Sequence, residues 1–346
     1  YKAALCRERA DWLVGINATR LFSCLYGQPL NVGRVMTPTL AMTVSREAAI
    51  DAFRPELFYL IQIQTGGYMA SSERFKDKSQ AEALLEECRK ASEAVLQKNE
   101  RKEKTERPPA LYDLTTLQRD ANRLLGYSAQ QPLDYTQALY EKKLVTYPRT
   151  DSRYLTEDME PGLPDLIRQT ATHFGVTGEI PIHAKQVINS KKVSDHHAIL
   201  PTRSMAKADL SSLPAGETNV LRLIAARLLA AVGEPYRYTE TTVQMECAGQ
   251  VFTAKGKTVL AEGWKAVERA VLGDTAQKNE EKLELLPEVQ EQETLPVLDA
   301  QLKEGKTSPP RHFTEDTLLS AMETAGKERM PEEAERRGIG TPATRA

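Results

Sequence analysis

Residues 144–155 read Leu144-Val145-Thr146-Tyr147-Pro148-Arg149-Thr150-Asp151-Ser152-Arg153-Tyr154-Leu155. Leu144, Val145 and Thr146 predict a short strand, and Pro148 stops it. Residues i and i+2 of a strand share a face, so Tyr147 and Arg149 can address one ligand. A phenol has a reference pKa near 10 and is a poor nucleophile alone. A guanidinium beside a phosphate stabilises the charge that builds when such a group attacks. The hydroxyls of Thr150 and Ser152 follow. On spacing alone the run also fits a buried tyrosine with a surface arginine.

Upstream, a helix pair leads into this run. Leu114, Leu117, Ala121, Leu124 and Leu125 recur at helical spacing, and Gly126 closes that helix. Ser128 and Gln131 form a capping-box pattern for a second helix ending near Lys143. Two helices and a strand in this order suit a winged helix-turn-helix unit. Further out, residues 2–25 read as helix. The stretch 58–75 reads as a hairpin turning at Gly66-Gly67, and a charged helix runs from Ser79 to Val95. The polar run 97–109, ending in Pro-Pro, reads as a domain junction. Residues 218–232 are helical, 238–267 strand-rich, and 274–293 an acidic, solvated connection. Thr314 caps a last helix ending at Gly326. Strands thus fall in two blocks with a helical unit between them, as in a β domain interrupted by an insertion.

Composition bounds the rest. With 346 residues, two or three domains of about 150 residues each are expected. The net charge of −2 permits a local basic groove but not a surface that coats nucleic acid throughout. The four cysteines have neither C-x-x-C spacing nor a histidine at ligand spacing. Reduced, buried thiols in a cytoplasmic protein are expected, with no metal ligand set in this chain. No apolar run approaches the ~18 residues of a membrane span. The chain lacks an initiator Met and stops abruptly after Thr344-Arg345-Ala346, and so reads as a piece of a longer protein.

Four more runs carry chemistry. Ser194-Asp195-His196-His197-Ala198-Ile199-Leu200-Pro201-Thr202 holds a histidine pair, which by itself is as readily structural. Arg7 through Arg20 forms an amphipathic helix in which Arg7 and Asp11 stand at i, i+4. Val32-Gly33-Arg34-Val35-Met36 follows it. Gly338-Ile339-Gly340-Thr341-Pro342-Ala343-Thr344-Arg345 places Thr at an N-cap and Pro at the first helical position, an arrangement suited to phosphate as well as to simple capping.

With the Tyr147 run these make five, and in this order they resemble the type IA DNA topoisomerases. The proline after the tyrosine is similar to the topoisomerase III kind. The resemblance implies a multidomain α+β fold, a toroidal core. Its β-rich arch is expected in two pieces, 58–106 and 233–306. A winged-helix-like helical domain is inserted at 107–232, and a helical base is split between 1–57 and 307–346. It implies that Tyr147 forms a transient 5′-phosphotyrosine link, with Arg149 and His196 on the phosphate. It implies that Arg7, Asp11, Arg20, Arg34, Thr150, Ser152, Thr341, Thr344 and Arg345 bind single-stranded DNA, Asp11 near a base. Met36 stands where the family carries Gln, so that contact does not carry over. The family's metal-binding Toprim domain has an Asp-x-Asp-x-Glu run, absent here. Mg²⁺ is therefore expected on a Toprim domain elsewhere in the parent polypeptide. These residues alone are expected to bind a single strand without cleaving it. The other reading is a non-catalytic module for single-stranded DNA.

Overall fold

The computed structural model describes residues 2–178, 180–273, 275, 292–326 and 338–345. Helix α1 (Lys2–Ala10) runs through a π-helical turn, Asp11–Ile16, into α2 (Asn17–Tyr26), and α3 follows (Met36–Asp51). The expected single helix over 2–25 is present, with a widened turn beginning at Asp11. Among the described residues nothing buries its apolar stripe, and Trp12 is 64% and Leu25 67% exposed.

The hairpin is β1 (Leu57–Thr65) and β2 (Met69–Ser71), with Ile63 opposite Ala70. Helix α4 (Lys78–Ala91) is capped by Asp77, whose carboxylate accepts from the Ser79 N–H at 2.8 Å. It ends earlier than its charge pattern suggested, because Ser92 turns left-handed at φ 53°. Most of the polar run 97–109 is strand: β3 spans Glu93–Glu106, and the chain passes from barrel to helical segment at 107–109. The polar half of β3 is held by backbone pairing to β4 (Tyr236–Cys247), from Lys98↔Gln244 to Glu106↔Tyr236. Its charges find partners on the surface: Lys102 meets Glu100 at 2.8 Å, and Lys104 meets Glu240 across the ladder. A strand with alternating charge and no apolar face carries little sequence signal.

β5 (Gln250–Ala261) returns from β4 through the two-residue turn Ala248-Gly249, both at positive φ, the twist that a tight hairpin requires. The strand-rich reading of 238–267 stops at Ala261, since α9 occupies Gly263–Leu272. β6 is Thr294–Lys306. The six strands close as β1-β2-β5-β4-β3-β6, so the barrel takes strands from both sides of the helical segment. Its core holds Ile61, Ile63, Leu96, Val243, Met245 and Phe252, with Leu84, Leu85 and Cys88 supplied by α4. Each fully buried side chain of this size contributes about 1.5–3 kcal/mol.

Between β3 and β4 lie α5 (Leu114–Leu125), α6 (Gln130–Glu141), α7 (Leu163–His173) and α8 (Ala215–Ala231). Gly126 takes the left-handed conformation expected of it, at φ 72°. At the start of α6 only half the capping box forms: the Ser128 N–H donates to Gln131 Oε1 at 2.8 Å, and Ala129 occupies the cap. Helix α8 is buried nearly all round. Val220, Leu221 and Ile224 pack with α5 and α6, while Leu228, Leu229 and Val232 share a second core with α7 and α9. Helix α10 (Glu315–Thr324) begins with a full capping box of Thr314 and Thr317, and α11 is Pro342–Arg345. Apart from residues 275, 292 and 293, the connection expected over 274–293 lies outside the described residues. Cys88 and Cys247 are buried, and burial pushes the Cys88 thiol up to about 12. Cys6 and Cys24 are exposed, contrary to the expectation of four buried thiols, because the helices carrying them bury none of their described side chains.

Candidate active site

The chain leaves α6 through Lys143 at φ 61°, a left-handed residue that turns it sharply toward Tyr147. Leu144 N–H donates to Leu139 O at 2.9 Å and fixes that reversal. The expected strand at 144–146 is reduced to a single antiparallel bridge, Val145↔Pro201. One backbone and one side-chain bond continue the ladder: Thr146 N–H donates to Leu200 O at 2.9 Å, and Leu200 N–H donates to Thr146 Oγ1 at 2.9 Å. Two motifs separated by some fifty residues of chain are thereby stapled side by side. Tyr147 lies with its ring 4.4 Å from that of His196 and edge-on to Tyr140 at 5.5 Å.

Beyond the tyrosine, the loop encloses a cavity of about 160 Å³ lined by Arg149, Thr150, Asp151, Ser194, Asp195, His196 and Thr341. The lining residues carry a guanidinium, an imidazole, hydroxyls and two carboxylates, and the Tyr147 ring lies beside that of His196. Arg149 and His196 are exposed. Thr150 and Ser152 are buried, and their hydroxyls are engaged within the protein. Thr150 Oγ1 donates to His196 O at 2.9 Å, and Ser152 Oγ donates to Lys192 O at 3.0 Å. These two residues shape the loop that carries Arg149.

The other candidates are placed differently. Arg34 Nε donates to Asp11 Oδ1 at 3.0 Å, so two of them pair with each other at the π-helical turn. Arg7 and Arg20 are exposed on α1 and α2. Thr341 N–H donates to Thr344 Oγ1 at 2.7 Å at the start of α11. Arg345 turns inward: its side chain is 5% exposed, and Nε donates to Ile339 O at 2.8 Å. Burial lowers its pKa, against the pull of Glu323 and Asp113. A larger, mostly apolar cavity of about 530 Å³ lies between Met36, Ala129, Leu319 and Met322, with Thr344 and Arg345 on its wall. Tyr140, Arg153 and Glu323 were missed in the sequence. Arg153 sits inside the decisive run, but its partners come from positions 113 and 323, which no local pattern links to it.

This architecture is that of a solved protein class. It matches the structure of full-length topoisomerase I from Thermotoga maritima with a TM-score of 0.75. The match has 24% identity and covers 99% of this chain and 55% of that one. Over residues 1–346 the sequence matches the family model described as DNA topoisomerase. It is 41% identical to DNA topoisomerase 3 of Bacillus subtilis and 40% identical to that of Bacillus licheniformis, over all of this chain and 50% of each relative. The chain belongs to the type IA DNA topoisomerase family. It spans about half the length of the curated relatives it matches.

Proposed function

We propose that this chain is the strand-breaking body of a topoisomerase that changes DNA topology, with Tyr147 as its nucleophile and single-stranded DNA as its substrate. The observation that carries the reading is the placement of Tyr147 against His196, at the cavity that Arg149, His196 and Thr341 share.

A phosphodiester seated there has its non-bridging oxygens held by Arg149 and His196, which stabilise the charge added as the phenol oxygen attacks phosphorus. The bond to the 3′-oxygen breaks, and the 5′-phosphate stays on Tyr147. The phenol gives up its proton and the departing oxygen gains one. Rejoining reverses the step: the 3′-hydroxyl attacks the phosphotyrosine. The energy of the phosphodiester is kept in the covalent link, so no ATP is needed. While the link lasts, the helical segment 107–232 swings away with the 5′ end, and a second strand passes. Exposed Arg7 and Arg20, with Arg34, Asp11, Thr341 and Thr344, line the path of the bound strand. Among the described residues no three His, Cys, Asp or Glu side chains gather to hold a metal ion. The carboxylates of Asp151 and Asp195 do not make a magnesium site on their own. In the whole protein, Mg²⁺ is held by a Toprim domain.

The test uses the full-length protein and a 3′-labelled single-stranded oligonucleotide. Wild type is expected to carry label after denaturation. Tyr147→Phe is expected to carry none, with strand affinity changed by no more than about twofold. Label transfer by the Phe variant overturns the assignment.

A further inference from the structure

We infer that Glu323 is a positioning residue for the Tyr147 cleft, tying the loop behind the tyrosine to the turn that carries Thr341. Its bearing on catalysis rests on the reading of the cleft given above; the tie itself does not. Three guanidiniums meet the Glu323 carboxylate. Arg119 of α5 lies 3.5 Å from Oε2. Arg153, six residues beyond Tyr147, lies 3.5 Å from Oε1, and Arg345 of α11 lies 3.3 Å from the same oxygen. Three like charges gathered this closely repel one another, and the carboxylate between them makes the arrangement favourable. Asp316 and Asp113 take the other sides of Arg119 and Arg153, each at 2.7 Å.

Other contacts separate this role from plain packing. The turn at 338–340 stays against α10 without Glu323's side chain, because Ile339 N–H donates to Met322 O at 2.8 Å. Gly338 approaches so closely that a Cβ there would stand 2.2 Å from Met322 O. The first turn of α10 is held to α5 by Asp316, whose N–H donates to Asn122 Oδ1 at 3.1 Å. What the Glu323 side chain adds is the bridge from Arg153 to Arg345. Arg149 lies four residues before Arg153, and Thr341 four before Arg345, and both line the cavity. The bridge therefore sets how far apart the two walls of the anion site stand.

The test is hydrogen exchange on the 346-residue chain without DNA, comparing wild type, Glu323→Gln and Arg153→Met. Exchange in 149–155 and 338–345 is expected to rise about tenfold in both variants, with the barrel strands unchanged. Raising salt is expected to loosen the same stretches in wild type and to add nothing in Glu323→Gln, as an ionic tie requires and a packing role does not. Affinity for an oligothymidylate is expected to fall in both variants. Unchanged exchange, loosening spread equally through the barrel, or loosened stretches with full affinity each overturn the inference. Failure of the Tyr147→Phe test would overturn the catalytic reading and leave the exchange result standing.

Discussion

Glu268 is a carboxylate in a poor place for one. It faces the buried Arg227–Asp120 ion pair, around which Tyr112 Oη donates to Asp120 Oδ2 at 2.8 Å and Arg123 reaches Oδ1 at 2.6 Å. Burial raises the Glu268 pKa, Arg227 opposes the rise, and Asp120 adds to it. A carboxyl raised in the folded state contributes its full stability below the unfolded pKa, near 4.3, and loses it as pH rises through the folded value. At neutral pH the carboxyl therefore costs stability relative to a neutral isostere. Glu268→Gln is expected to raise the melting temperature at neutral pH by roughly 1–3 °C, with the gain vanishing below about pH 4. A melt showing no gain at neutral pH would contradict this sign. At the same scale, much of the cleft was legible beforehand. Tyr147, Arg149, His196 and Thr341 were all singled out, and all meet at or beside one small cavity. The inward turn of Arg345 was not legible, because it rests on backbone carbonyls of Ile339 and Gly340, which carry no sequence signal, and on Thr115, far away in the chain.

Elements differ in how openly their sequences declare them. The ends of α5 were readable because Gly126 supplies a conformation that few other residues adopt, and α10 because Thr314 offers its hydroxyl to a free N–H. The polar half of β3 was opaque, since its strand character comes from Gln244 through Tyr236 on β4, more than a hundred residues on. Gly305 on β6 shows the same dependence on a neighbour. It stands opposite Phe58 in the ladder, and a Cβ there would lie 2.4 Å from the Phe58 ring. Arg74 covers that ring, its guanidinium carbon 4.1 Å from the centroid, so the phenyl is held between a bare backbone and a cation. Gly305→Val is expected to push the ring off Arg74 and destabilise the chain by about 1–3 kcal/mol in a denaturant titration. An unchanged midpoint would mean that the ring moves aside at no cost.

For the molecule as a whole, the sequence foretold the mixed helical and antiparallel class that the match to a type IA fold bears out. A proposal for the 346 residues on their own follows from proton accounting. A guanidinium keeps its proton, and in the mechanism proposed above His196 serves the phosphate, so neither hands a proton to the departing 3′-oxygen. The isolated chain is expected to bind single strands with an affinity that falls with salt, and to form no denaturation-stable adduct with or without Mg²⁺. An adduct that depends on Tyr147 and forms at the rate of the full-length protein would show that nothing beyond these residues is required. The barrel has a consequence of another kind, in the order in which the protein is made. β1 pairs with β6 from Leu57↔Lys306 onward, and Glu106 at the end of β3 pairs with Tyr236. During synthesis from the N-terminus, the β1–β2 hairpin and β3 emerge while β4, β5 and β6 are still untranslated. The helical segment, rich in nearby contacts, is free to fold in the meantime. The barrel closes last, so a ribosome stalled before residue 306 holds a nascent chain whose β1 and β3 edges are open to pairing with any other strand.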